Sequence, residues 1–172
     1  MEGIKLRRSI RKYQAKEIPP EIITELLEAA RWAPSARNVQ PWAFKIVTSA
    51  ADKAKLKENG VFMRDSVYTA PAIIICCVTE EDYPKEKYQA GMQATLDKWS
   101  MIDLGLATEN ILLAATELGL GTCVTGMIDM EKIRDILNIP DKYFIPYVIP
   151  VGYPDETPAP TPRKNLKEIL IS

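Results

Sequence analysis

Four short blocks of this chain hold side chains with chemistry to offer. The first is RRSIR, which carries Arg7, Arg8, Ser9 and Arg11. Arginine joins a permanent charge to a fixed fork of donors, and Ser9 adds a hydroxyl, a set suited to a phosphate. The second is APSARNVQPWAF, residues 33–44. Pro34 and Pro41 fix their own φ and bias the residues before them toward extended backbone, so this loop is stiff. Its Ser35, Asn38 and Gln40 can donate and accept along the edge of a flat polar ring. The third is GLGTCVTGM, residues 119–127, whose glycines let backbone approach a ligand closely. The fourth is the pair Arg163 and Lys164 behind a proline-rich stretch. Taken singly, each block has an ordinary reading: a solvated basic terminus, a capped helix-to-strand turn, a glycine turn, a solvated charge pair.

The rest of the composition narrows the chemistry. The chain has 172 residues and no histidine. That removes Ser-His-Asp and Cys-His nucleophile arrangements and the commonest transition-metal ligand. No paired Cys-x-x-Cys motif replaces it, so no metal site is expected. If the chain is an enzyme, a bound organic cofactor is expected to carry its chemistry. The three cysteines are Cys76, Cys77 and Cys123. Neighbours on a strand face opposite ways, so Cys76 and Cys77 read as buried free thiols of a reducing compartment rather than a disulfide. The formal net charge of −1 argues against a nucleic-acid partner. No apolar run reaches the roughly 18 residues of a membrane span, and the N-terminus lacks the apolar core of a secretory signal. A cytoplasmic location is expected.

The elements that must position these blocks are legible as patterns. Pro19 and Pro20 open a helix in which Ile23, Leu26, Leu27 and Ala30 recur at helical spacing, and Pro34 closes it. Residues 43–47 read as a strand and 52–59 as a short helix stopped by Gly60. Residues 72–78, an unbroken apolar run, read as a buried strand. Residues 80–98 are mixed and polar, with Tyr83 and Tyr88, and Trp99 follows; the three are candidate lid aromatics. A long helix is expected over 100–118. It is apolar nearly all round, so it needs cover nearly all round, and a partner subunit is expected to supply part of it. Residues 122–126 read as a strand end and loop, and Asp129 as the cap of a helix through Leu137, ended by Pro140. Residues 144–152 read as an edge strand or short pieces, because Pro146 and Pro150 interrupt them. Residues 153–172 read as a semi-extended arm. The whole, residues 1–172, is expected to form one α+β or α/β domain.

In this order and spacing the four blocks resemble the nitroreductase family of FMN-dependent oxidoreductases. The resemblance runs from RRSIRKY through LLEAARWAPSARNVQPWAFKIV and AATELGLGTC to IPVGYPDETPAPTPRK, essentially the whole chain. It implies the α+β class, with a mixed central sheet flanked by helices and the long helix buried at a homodimer interface. It implies two FMN molecules in that interface. Arg7, Arg8, Ser9 and Arg11 would meet FMN from one subunit, Arg7 and Ser9 at the phosphate and ribityl end and Arg11 at the pyrimidine edge, where it would tune the flavin. Arg163 and Lys164 would add charge for the phosphate. The Thr125–Gly126 backbone would lie near the flavin N5. Pro34, Ser35, Ala36 and Asn38, with Gln40 close by, would come from the other subunit. The implied activity is hydride transfer from NADH or NADPH through N5 to a flat acceptor such as a nitroaromatic or quinone, in ping-pong fashion and without a separate catalytic side chain. The alternatives are a flavin storage or sensor protein without turnover, and a reductive dehalogenase-like relative.

Overall fold

The computed structural model of the chain describes residues 2–79, 81 and 99–171. The apolar run becomes strand β2, Ala72–Val78, and all seven of its residues are buried. It is paired antiparallel on one side with β1, Trp42–Val47, and on the other with β4, Phe144–Gly152. A two-residue strand β3, Gly121–Thr122, pairs with the outer side of β4, giving the sheet order β1-β2-β4-β3. The four strands are all antiparallel; the parallel component is an isolated bridge between Ser9 and Thr122.

Period-2 alternation splits β2 between two cores. Ile74 and Cys76 face α2, Pro20–Arg31, and α5, Trp99–Glu117, where Leu26, Leu104, Ala107, Ile111 and Ala115 are wholly buried. Ile73, Ile75 and Cys77 face α3, Ala50–Glu58, and α6, Met130–Leu137, through Leu56, Ile133 and Leu137. Each fully buried isoleucine contributes on the order of 1.5–3 kcal/mol. Cys76 and Cys77 therefore sit in different cores as free buried thiols, as the alternation predicts.

Local signals set the helix ends. Pro20 opens α2 at its first position, where a missing N–H costs no hydrogen bond. Ser49 accepts from the Asp52 N–H at the start of α3, and Asp129 from the Lys132 N–H at the start of α6. α6 ends not at Pro140 but at Asn138, whose left-handed φ of 51° terminates it. Among the described residues the chain also forms three short helices not expected from its pattern: α1, Glu2–Leu6, α4, Asp65–Thr69, and α7, Leu166–Ile169.

The prolines of β4 do not make it an edge or break it. Val148 both accepts from and donates to Thr125, on the β3 side, at 2.9 and 3.0 Å. Backbone polar groups alternate sides along a strand, so Pro150 also turns its missing N–H away from β2. Pro146 falls where the β2–β4 register shifts between Cys76 and Val78, at a bulge. A strand can thus carry two prolines and still be central when its second neighbour is only two residues long.

α5 is covered on one side only. Met101, Ile102 and Leu106 are 37%, 46% and 42% exposed and form a stripe opposite the core. No helix among the described residues is long and apolar enough to cross a membrane.

One contact pins the N-terminal segment to the sheet edge. A Cβ on Gly121 would lie 2.6–2.8 Å from the Ile10 side chain, with no room to spare. Gly121→Ala is expected to lower stability by about 1–3 kcal/mol, read as a lower urea midpoint at unchanged slope. A wild-type midpoint would show that this crossing is not close.

Candidate functional site

The first block hangs on the outer edge of the sheet. Ile10 N–H donates to Thr122 O at 2.9 Å, and Gln14 N–H to Tyr153 O at 2.9 Å. The Glu156 carboxylate accepts from the Arg11 and Lys12 amides at 2.5 and 3.1 Å. Tyr13 Oη donates to Ile10 O at 2.6 Å. The backbone from Ser9 to Gln14 is thus fixed from both sides, while the Arg11 side chain is exposed and makes one long contact to Ser9 O at 3.4 Å. Arg8 behaves differently. Its guanidinium donates to Lys5 O and Arg7 O at 2.5 and 2.8 Å, over the last turn of α1, where helix carbonyls lack partners. Arg8 is a helix cap here. Arg7 and Ser9 are half-buried beside it.

The third block continues along the same edge. The Thr125 N–H is committed to Val148 O. Gly126 is exposed, and its N–H makes no hydrogen bond among the described residues. Of the expected Thr125–Gly126 pair, it is therefore the glycine amide that can meet a ligand atom.

The second block is built differently. Pro34 leads into a one-turn 3-10 helix over Ala36–Asn38. Arg37, Asn38 and Gln40 have φ of 55°, 58° and 53°. Asparagine tolerates this region, but such backbone in Arg37 and Gln40 costs on the order of 1–3 kcal/mol each. The loop closes on itself, with the Gln40 N–H donating to Ser35 Oγ at 2.9 Å and Gln40 Nε2 to Asn38 O at 3.3 Å. Hydrogen bonds from Thr79 and to Asp103 tie it to the body. The Thr79 N–H donates to Pro41 O at 3.1 Å. The Ala36 N–H donates at 2.9 Å to the carboxylate of Asp103, which is 1% exposed in the second turn of α5. Asn38 and Gln40 remain exposed.

The two halves do not meet in one chain. The loop is tied to Asp103, near the start of α5. α1 lies by the far end, where Glu117 Oε1 is 3.9 Å from the place of a Cβ on Gly3. Fourteen residues of helix separate them, about 21 Å. The fourth block is apart from both: Arg163 donates to Thr161 and Pro162 on its own arm, and Arg163 and Lys164 are exposed. Trp99 is half-buried at the start of α5. Tyr83, Tyr88 and most of the expected lid lie outside the described residues. A separate cleft of about 810 Å³, lined by Lys16, Ile18, Ile23, Ile46 and Lys53 among others, includes none of the predicted site residues.

Asp103, Glu156 and Tyr13 are contributors that the spacing of motifs did not single out. Asp103 carried one signal, as the lone charged residue between Trp99 and Thr108, since acids are rarely buried without a partner.

Residues 4–59 and 58–153 match the model of the nitroreductase family. A protein of Methanothermobacter thermautotrophicus, provisionally named NADH dehydrogenase/NAD(P)H nitroreductase, is 40% identical over 92% of this chain and 78% of its own length. The NADH dehydrogenase of Thermus thermophilus is 30% identical over 96% of this chain and 91% of its own. The fold matches a crystal structure from Exiguobacterium sibiricum, a provisionally named nitroreductase in complex with FMN, with a TM-score of 0.87. That match is 23% identical and covers 99% of this chain and 95% of the other.

The buried acids of this fold set its alkaline limit. Burial raises Tyr147 from 10.0 to about 12, its hydroxyl 2.8 Å from Thr108 Oγ1, and raises Cys77 from 9.0 to about 11. Burial raises Tyr13 too. Below about pH 8 both folded and unfolded forms are protonated, so these groups add no pH dependence. Above it the unfolded chain loses protons that the folded chain keeps, and stability falls. Stability is expected to be level near neutrality with respect to these groups and to drop between about pH 8 and 12. Tyr147→Phe should flatten the upper part of that drop, read as denaturation midpoints against pH.

Proposed function

The chain belongs to the nitroreductase family, and on that premise we propose that it is an FMN-dependent NAD(P)H oxidoreductase working as a homodimer. The observation that carries the reading is the Ser9–Thr122 pairing, which sets Arg7, Ser9 and Arg11 on the same sheet edge as the unbonded Gly126 amide. Cationic forks for a phosphate and a glycine amide for a ring edge fit the two ends of FMN. When bound, FMN supplies acceptance of hydride at N5 from NADH or NADPH and its delivery to a flat acceptor such as a nitroaromatic or quinone.

The residues divide the remaining work. Arg7 and Ser9 hold the phosphate and ribityl end. Arg163 and Lys164, on a free arm, add charge there. Gly126 N–H addresses the N5 edge. Arg11 stands at the pyrimidine edge, where a guanidinium stabilises the negative charge that accumulates on reduction. Pro34, Ser35, Ala36, Asn38 and Gln40 cannot reach the same molecule from within one chain, at about 21 Å along α5. They serve the partner's FMN. The exposed stripe of Met101, Ile102 and Leu106 on α5 is the surface that brings the second copy there.

The decisive experiment is optical. The purified protein, supplied with FMN, is expected to show flavin absorbance that bleaches anaerobically with NADH or NADPH and recovers with menadione or a nitrofuran. Absence of bleaching with either donor would overturn the reading as a reductase, and bleaching without acceptor turnover would favour flavin storage or sensing. Arg11→Ala is expected to weaken FMN binding about tenfold, the size of one lost charge-assisted hydrogen bond, or to slow flavin reduction, with the dimer intact by sedimentation. Wild-type flavin content and kinetics in that variant would remove Arg11 from the site.

A further inference from the structure

We propose that Asp103 is the positioning residue for the cofactor-binding loop, acting through the Ala36 amide; this rests on the proposed role of that loop. The loop holds three residues at positive φ, and backbone of that kind relaxes unless its surroundings over-determine it. Its internal bonds, Asn38 N–H to Ser35 O, Val39 N–H to Ala36 O and Gln40 N–H to Ser35 Oγ, shape it but do not place it. Placement needs ties to something rigid. At the C-terminal end Pro41 is buried and its carbonyl accepts from Thr79 at the end of β2. At the N-terminal end the Ala36 amide, the first of the 3-10 turn, donates to a carboxylate. A bond to a charged acceptor is about twice as strong as a neutral one, and this one is part-buried, its acceptor wholly so.

The choice of residue also makes sense on α5. Asp103 is in the same face of the helix as Leu104, Ala107 and Ile111, turned into the core, and not in the exposed stripe with Met101, Ile102 and Leu106. A charge there is tolerated only if it is used. The helix is also the element whose exposed stripe is proposed to meet the second copy. Asp103 therefore fixes the loop directly to the interface helix, so that docking the helix also delivers Asn38 and Gln40 to the partner's cofactor.

The test separates the loop from the cofactor. Amide hydrogen exchange of residues 38–40 in the FMN-free protein reads loop order alone. Asp103→Ala is expected to speed exchange there about tenfold and to raise the FMN Kd about tenfold, raising KM for the acceptor more than it lowers kcat. Asp103→Asn keeps an acceptor oxygen and should restore most of both. Should Asp103→Ala fail to fold, Ala36→Pro deletes the donor instead. Ser35 is already extended, at φ −141° and ψ 154°, as a residue before proline prefers, and the first position of a turn accepts proline. Because both changes delete the Ala36–Asp103 bond, the double variant should be no worse in exchange than Asp103→Ala alone. Inter-chain complementation adds a readout that a general loss of stability would not give. Mixed dimers of an Arg7→Ala/Arg11→Ala chain with an Asp103→Ala chain should recover one intact FMN site, because both defects fall on the other site. Wild-type exchange in Asp103→Ala, or fast exchange with unchanged FMN affinity, would overturn the proposal. A wild-type protein that binds no FMN would instead overturn the functional reading, with the exchange comparison still deciding the role of Asp103 in loop order.

Discussion

The structure depends on a strand that has no face left for water. β2 has seven buried residues in a row, a strand on each side and a layer of helices on each face. That constraint fixes what the other elements do. β1 and β4 must satisfy its backbone, and four helices must cover the two sets of side chains that alternate from it. It also decides where a site can be. Functional groups are excluded from the centre and hang instead on the outer side of β4, on the loop before β1 and along α5. The outer side of β4 is suited to this because β3 pairs only with Val151 and Gly152, leaving the rest of the edge open to the segment from Ser9 to Gln14 and to Gly126.

Much of this frame was legible because its signals are local or periodic. The apolar run gave β2, the i, i+3, i+7 spacing of Ile23, Leu26 and Ala30 gave the buried face of α2, and Asp129 gave the start of α6. The reading failed where the outcome depends on a neighbour in space. Pro146 and Pro150 looked like edge markers, and they are compatible with a central strand only because a bulge and a two-residue β3 absorb them. For Arg8, read with Arg7, Ser9 and Arg11 as meeting the cofactor, no spacing recorded that α1, a helix of five residues, places a carbonyl within its reach. Asn138 ends α6 before Pro140 can, because asparagine takes the left-handed conformation and accepts that role two residues earlier.

The candidate site divides along the same line. Its residue types were readable from the motifs, since guanidinium forks, amides and glycine have chemistry independent of context. What holds them was not. The Glu156 clamp on the Arg11 and Lys12 amides joins residues 145 apart in sequence, and the Asp103 tie to Ala36 joins residues 67 apart. Neither leaves a spacing that a motif could record. The loop shows why such ties matter. Pro34 and Pro41 make it stiff, but stiffness fixes a shape and not a place. Left-handed Arg37 and Gln40 store strain of a few kcal/mol in total, and Asp103 and Thr79 are the fixed points against which that strain is kept.

α5 then links the fold to the assembly. A helix that is apolar all round can be buried in a core or divided between a core and a partner. Here Leu104, Ala107, Ile111 and Ala115 take the core and leave Met101, Ile102 and Leu106 at the surface. The same helix holds the loop near its start and lies beside α1 at its end. The stretch from Asp103 to Glu117, about 21 Å of it, is therefore a spacing between the two halves of the candidate site. A rigid helix cannot shorten to close that gap. On the proposed reading the gap is closed by symmetry, since an isologous pair of such helices sets each chain's loop against the other chain's arginines. On that reading two equivalent sites would follow from one interface, each completed by the other copy.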